Sequence, residues 1–345
     1  KKKKIGLILF YSRELLNNKI LKNIKIEKKY LKETISIKSC LKYLKIIQPS
    51  LVFCGNNGNN IFEANFARSV KINKNRSLAI MDSWSYPSRR FQFKSGDKKK
   101  FLFPDIIGVP NIKILREIKK LNKDKSKFFI AGYPQLNFNA YNFFLKQKKT
   151  YTKDTLDLLY ISTPYEKPKK KNITDGTEIF FDQNKIILLF LNTLYHFLKK
   201  NKIKINLTFR LHPLEKVKSK NFFKQIFKSF KKINFIFDKN IHNYDSYLNK
   251  DAVFGISSMM LYEAAICKLP SFSLQFKGEF NKRGKINYFK NISQIKVCSN
   301  LLYLENEIKK IYKNKQKNKI KVPDFKSSFF KKNIKLVEKI IKLNK

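Results

Sequence analysis

Arginine is scarce in this chain. Only eight of its 75 basic residues are arginine (13, 68, 76, 89, 90, 116, 210 and 283), and the rest are lysine. Tryptophan occurs once, and glycine and proline ten times each in 345 residues, against 32 phenylalanines. Acidic residues number 25, so the formal net charge is +50. Such a charge ordinarily suggests nucleic acid or an anionic membrane. Here the shortage of Arg, Gly, Pro and Trp beside abundant Lys, Asn, Ile, Phe and Tyr is the mark of an AT-rich coding sequence, and the lysines are spread over every helical face and loop. No zinc-finger, RNP or basic-zipper pattern occurs, which argues against nucleic acid as a partner. A solvated surface, an anionic leaflet and a polyanionic partner remain as readings of the charge.

The four cysteines, Cys40, Cys54, Cys267 and Cys298, have neither metal-ligand spacing nor the density of a disulfide scaffold, and read as small buried thiols. No apolar run approaches the roughly 20 residues of a membrane helix. The longest, Ile186 to Leu198, contains Asn192 and His196. The start, Lys1 to Lys4 and then Ile5 to Phe10, looks like a signal peptide only superficially. Its apolar core is short, and Arg13 and Glu14 follow, so it reads as a first buried strand. The expected location is the bacterial cytoplasm, with at most a peripheral contact to an anionic inner membrane.

Strand-like apolar runs alternate with helical patterns from end to end, which predicts parallel sheets covered by helices. Expected strands include Leu51–Gly55, Leu78–Met81, Ile106–Val109, Leu156–Ser162, Ile205–Leu211, Ala252–Ile256 and Phe272–Phe276. Helices are expected over Ile37–Ile47, Phe62–Val70, Ile112–Leu121, Asp182–Lys199, Met259–Ile266 and Phe329–Leu343. The pattern lapses into Lys, Gln and Thr near Lys146–Asp154. That sets a first domain at 1–148, a second at 155–325 and a closing helix at 326–345. Two sheets joined by one linker imply an interdomain cleft, a usual place for a small-molecule site.

Two stretches carry chemistry. In Thr208-Phe209-Arg210-Leu211-His212-Pro213, a buried strand runs into a His-Pro pair. Proline forbids the helical region to the residue before it, so His212 is held extended beyond the strand. Arg210 lies two residues back, on the same face. Together they suit a phosphate or carboxylate; the alternative is that His212 caps a neighbouring helix. In Val253-Phe254-Gly255-Ile256-Ser257-Ser258, a helix begins straight after the serines. Free N–H groups and the helix dipole make such a start an anion site, and the serines are equally natural caps. Glu263, in an otherwise apolar helix, either faces a ligand and accepts from its hydroxyls or is simply exposed. His196 and His242 read as structural or solvated.

In the first domain, the loop Asp82 to Phe91 stands at a strand end and carries Trp84 and Arg90. Asp82 there is either a general base for a hydroxyl or a brace for Arg90. The turn Asn56 to Asn60 either binds sugar hydroxyls, with Asn56 and Asn57 foremost, or only precedes a helix.

Arg210-Leu211-His212-Pro213, Gly255-Ile256-Ser257-Ser258, Glu263-Ala264-Ala265 and Leu269-Pro270 together resemble the C-terminal domain of GT-B glycosyltransferases of bacterial capsule and lipopolysaccharide synthesis. The similar groups are the sialyl- and polysialyltransferase-like enzymes and the CDP-glycerol glycerophosphotransferase-like enzymes. Asp82, Trp84, Arg90 and Phe91 resemble an acceptor-side pattern of such proteins, although Tyr86-Pro87 departs from its Asn-Tyr. The resemblance implies two Rossmann-like α/β domains facing a cleft. A nucleotide-sugar would sit in the second domain, a polysaccharide or glycolipid acceptor in the first, and no metal or further cofactor would be required. It implies that His212 contacts the donor phosphate or assists the leaving group, that Ser257 and Ser258 hold phosphate with Arg210 nearby, and that Glu263 holds the ribose. A nucleotide-sugar 2-epimerase and a non-catalytic nucleotide-sugar-binding protein are the alternatives.

Overall fold

A computed structural model describes residues 36–55, 61–81, 90–95, 98–122, 126–147, 154–163, 181–213, 215, 217–277 and 293–316. The expected strand at Ile5–Phe10, the residues Asn56, Asn57, Asp82 and Trp84, and the helix expected over Phe329–Leu343 lie outside them. The chain divides into two compact units, Lys1–Gln135 with Phe330–Lys345, and Leu136–Phe329.

In the first unit, helix α1 (Ile37–Ile47) is capped by Ser36, whose Oγ accepts from the Ser39 N–H, and ends at Gln48 in the left-handed region. Pro49 follows, where a helix could not continue. Then come β1 (Val52–Phe53), α2 (Ile61–Ile72), β2 (Ser77–Ile80), β3 (Gln92–Ser95), β4 (Lys98–Phe101), β5 (Ile106–Val109), α3 (Ile112–Leu121) and β6 (Lys127–Ile130). Among the described residues the strands β1-β2-β5-β6 form one parallel sheet in that order. The antiparallel hairpin β3–β4 stands apart. It was not expected, because its lysine-rich strands lack the apolar alternation that marks a strand.

The second unit opens with most of helix α4 (Pro134–Lys146). Pro134 suits a first helical turn, where its missing N–H costs nothing, and Gly132 turns the chain into it at φ +68°. The asparagines interspersed among the apolar residues of α4 concealed the helix. Its Phe143 packs edge-on to Tyr247 and its Lys146 pairs with Asp245 at 2.8 Å. Both contacts lie within the second unit.

The unit continues through β7 (Thr155–Ile161), α5 (Gln183–Asn201), β8 (Lys204–Arg210), α6 (Val217–Lys228), β9 (Ile233–Phe237), the single turn α7 (Asn243–Ser246), β10 (Ala252–Gly255), α8 (Met259–Ile266), β11 (Ser271–Leu274), β12 (Ile295–Cys298) and α9 (Leu301–Gln316). The sheet order is β12-β11-β10-β7-β8-β9, all parallel. The chain starts in the middle, fills one side, and then crosses to fill the other. That is the doubly wound Rossmann order.

The core of this unit is aromatic. Tyr160, Phe190, Phe209, Phe223, Phe254 and Phe272 are all fully buried. Tyr160 stacks on Phe209 at 5.0 Å, and Phe254 on Phe272 at 5.0 Å. Such pairs add about 0.5–1.5 kcal/mol each beyond their buried area. Helix α5 buries Ile186, Ile187, Phe190, Leu191, Leu194, Phe197 and Leu198 against the sheet, a stripe at helical spacing. Among the described residues no helix is long and apolar enough to cross a membrane.

Candidate functional site

The parallel register of the second sheet fixes which residues meet. Ile161 stands opposite both Arg210 and Gly255, and Gly255 opposite Ser273. Ser162, His212 and Ser257 therefore leave the sheet at one carboxyl-terminal rim. The connection reverses between β7 and β10, and in open α/β sheets a crevice at that point takes the ligand. Gly255 ends β10 directly beside Ile161. A Cβ on it would stand 2.9 Å from the Ile161 carbonyl oxygen, so only glycine fits without displacement.

Helix α8 starts at this rim. Ser258 is its N-cap, in extended conformation, and its Oγ accepts from the Met260 N–H at 3.2 Å. Ser257 and Ser258 are both half-buried. Glu263 is only 2% exposed, which excludes the exposed alternative. Its Oε2 accepts from Asn243 Nδ2 at 3.1 Å, while its Oε1 is buried without a hydrogen-bond partner. Burial pushes this carboxyl up to about 7, against the pull of Asn243, Asn139 and the Arg210 charge. A buried carboxylate with a free oxygen must either take a proton or receive a donor from a ligand.

Arg210, expected beside a phosphate, directs its guanidinium into the segment after β9. NH1 donates to Asp238 Oδ2 at 2.7 Å, to the Asn240 carbonyl at 2.9 Å and to Ser246 Oγ at 2.8 Å. NH2 donates to Asn243 Oδ1 at 3.1 Å. Asn243 thus links Arg210 to Glu263. Hydrogen bonds from Ser246, Asn240 and Arg210 outweigh burial and hold the Asp238 carboxyl below its usual range. Arg210 fixes the loop that buttresses Glu263, with its charge paired to Asp238.

His212 is half-buried, and burial lowers its imidazole pKa, which favours the neutral ring near pH 7. Its backbone N–H donates to Ser162 Oγ at 2.9 Å and to Glu215 Oε2 at 2.7 Å. The Glu215 N–H returns to the His212 carbonyl at 2.9 Å and closes the turn. Glu215 did not stand out in the sequence, although its position three residues beyond His212 in a His-Pro turn is a signal in hindsight. Gln183, the first residue of α5, was also missed. It is fully buried, and its amide brackets Thr163, accepting from the backbone N–H and Oγ1 and donating to the carbonyl at 2.9 Å.

Asn56, Asn57, Asp82 and Trp84 lie outside the described residues, and Arg90 is half-buried beside buried Phe91. His196 is exposed on α5, and exposed His242 stacks on Tyr244 at 5.0 Å. All four cysteines are free, three of them buried. Burial pushes the Cys54 and Cys298 thiols up to about 12, so they stay protonated. A cavity of about 480 Å³ lies in the first unit, lined by Lys71, Lys74, Arg76 and Asp105 among others. It holds none of the candidate site residues named from the sequence.

No protein-family model and no curated protein matches the chain. Solved structures do. The UDP-GlcNAc 2-epimerase of Neisseria meningitidis, bound to UDP-GlcNAc, aligns over 89% of this chain and 80% of its own, at 11% identity and a TM-score of 0.53. That of Methanocaldococcus jannaschii aligns over 79% and 73%, at 15% identity and a TM-score of 0.52. A glycosyltransferase from Rickettsia africae aligns over 89% and 79%, at 9% identity and a TM-score of 0.46. At these identities the likeness is one of fold: the chain has the two Rossmann-like α/β domains of the GT-B type.

Proposed function

We propose that this chain is a glycosyltransferase that moves a sugar from a nucleotide-sugar to a hydroxyl of a surface polysaccharide or glycolipid. The observation that carries the reading is the rim at the switch point. There the start of α8 with Ser257 and Ser258 and the His212 turn leave one edge of one sheet, and the buried Glu263 of α8 is tied through Asn243 to Arg210 at the end of β8. The helix N-terminus suits the donor phosphates. The unpartnered Glu263 oxygen suits a ribose hydroxyl, which would supply the donor that the protein does not. The GT-B fold of the Neisseria protein accommodates UDP-GlcNAc, and the reading extends that ligand class to this chain.

In this mechanism the acceptor hydroxyl displaces the nucleotide from the sugar carbon. Negative charge develops on the leaving phosphate oxygen. His212 at the rim and the α8 N–H groups offset it, which is the stabilisation such a displacement needs. No further cofactor is invoked. The acceptor falls to the first unit, with Asp82 as the base, and the lysine-rich surface serves a polyanionic acceptor or an anionic leaflet.

Thermal shift with CMP, CDP, UDP, GDP and their sugars tests the donor site. A ligand at 100 times its dissociation constant stabilises by about 2.7 kcal/mol. One nucleotide should stabilise the wild type and lose most of that effect in His212→Ala and Ser258→Ala. No shift with any of them in folded protein would refute the site. Incubation with the matching labelled nucleotide-sugar then separates transfer or donor hydrolysis from epimerisation of the intact donor.

A further inference from the structure

We propose that Glu215 is a positioning residue: its carboxylate clasps the His212 turn to the end of β7 and the start of α5, and so sets where His212 stands at the rim. The inference rests on the reading of His212 as a donor-site residue.

The clasp joins three segments that are distant in sequence. Glu215 Oε2 accepts from the His212 N–H at 2.7 Å and from the Ser162 hydroxyl. Its Oε1 accepts from Gln183 Nε2 at 3.2 Å. Ser162 and Gln183 are fully buried and Thr163 nearly so, so these bonds form away from water. A charged acceptor makes each of them stronger than a neutral pair would be. The neighbouring Tyr160 phenol registers the same carboxylate, since burial first and the Glu215 charge second push its pKa up.

Two consequences follow from the donors' geometry. The His212 N–H is already given to Glu215 and Ser162, so His212 meets a ligand through its ring and not its amide. A carboxylate facing the backbone of a phosphate site would repel the ligand if it could swing outward. Its bonds to His212, Ser162 and Gln183 hold it inward. Glu215 thus orders the turn while its charge is spent on protein donors.

Imidazole NMR titration of wild type, Glu215→Gln and Glu215→Ala tests this. The chain has three histidines, and His212→Ala assigns the signal. In wild type and Glu215→Gln, whose amide oxygen can still accept from the His212 N–H, His212 should titrate below the ordinary value. In Glu215→Ala the loosened turn should expose the ring and move its titration upward, with His196 and His242 unchanged. Loss of a nearby negative charge alone would move it downward, so direction separates positioning from electrostatics. A His212 titration in Glu215→Ala that stays put or falls would overturn the proposal.

Donor turnover supplies the second arm. Glu215→Ala should lower kcat by up to ~100-fold, the scale expected when a reacting group is misplaced by about 1 Å. The donor dissociation constant should change little, and Glu215→Gln should recover most of the rate. Equal turnover in wild type and Glu215→Ala would also overturn it. An upward shift of His212 in a protein whose wild type processes no nucleotide-sugar would leave the clasp standing and remove the transferase reading.

Discussion

The central strands β7 and β10 each run between two buried polar clusters, and the two ends are built differently. At the amino-terminal end, Lys315 from α9 enters the sheet. Its Nζ donates to Asp251 Oδ2 at 2.6 Å, to the Thr155 carbonyl at 2.6 Å and to Asp157 Oδ2 at 3.3 Å. Asp251 Oδ2 also accepts from the Asp157 N–H at 2.8 Å, and Asp157 Oδ1 from Asn206 Nδ2 at 2.8 Å. In this cluster the one ammonium bridges both carboxylates, and protein groups take up its hydrogen bonds. At the carboxyl-terminal end, Glu263 keeps one oxygen without a partner, and the serines at the start of α8 stay half-buried. One end is closed by its own chemistry and serves the fold. The other is left incomplete, which stability alone does not favour.

The largest effect is expected at the closed end. Lys315→Met leaves Asp251, buried with its cation gone, and should cost about 3–5 kcal/mol, the usual result of breaking a buried pair by one partner. Urea unfolding measures it. Nucleotide binding by the folded fraction should be unchanged; a variant that folds as well as wild type would erase the contrast between the ends.

The open end should respond to pH. The Glu263 carboxyl has its pKa raised from 4.5 to about 7 in the fold. Between those values the folded state holds more protons than the unfolded one, so this group's contribution falls as pH rises and levels off above 7. The total is about 3 kcal/mol by linkage. Glu263→Gln should therefore gain stability relative to wild type across that window, while it loses nucleotide affinity. A difference between the two proteins that is flat with pH would show that Glu263 is not held protonated. In wild type, nucleotide binding should tighten as pH rises through about 7, because the ionised oxygen is the better acceptor for a ribose hydroxyl.

Gly255→Ala sharpens the comparison by closing the open end sterically. Its Cβ would press on the Ile161 carbonyl, so a cost of about 1–3 kcal/mol is expected from overpacking. Calorimetry would show it as a lowered Tm, and an unchanged Tm would mean that β7 and β10 can part there. The smallest effect is Ser258→Ala, which removes a cap worth about 1 kcal/mol. It should reduce nucleotide affinity out of proportion to that loss, if the α8 start binds phosphate.

Much of the fold was legible because its signals are local. Ile37–Ile47, Ile106–Val109, Ile112–Leu121 and Met259–Ile266 were bounded from apolar runs and their flanking residues alone. The lysine-rich hairpin β3–β4, the asparagine-interrupted helix α4 and the short strand β12 were not, because each takes its form from neighbours and not from its own pattern. Of the candidate site residues, His212 and Ser258 stood out by position after strands and Glu263 as a carboxylate in an apolar helix. Arg210 was seen, but its engagement with Asp238, Asn243 and Ser246 was not, since those partners lie 28 or more residues further on.

The sequence by itself determined the class of this protein: alternating strand and helix periods, strand-end polar residues and a helix start with two serines are written within a few residues of one another. Only the tertiary structure decided which of those polar groups were already answered. Asp251 and Lys315 are separated by 64 residues, and Ser162 and Glu215 by 53. A charge on a short peptide looks the same whether its partner is a distant lysine or a ligand. Burial and register distinguish the two, and both arise only when the sheet has assembled.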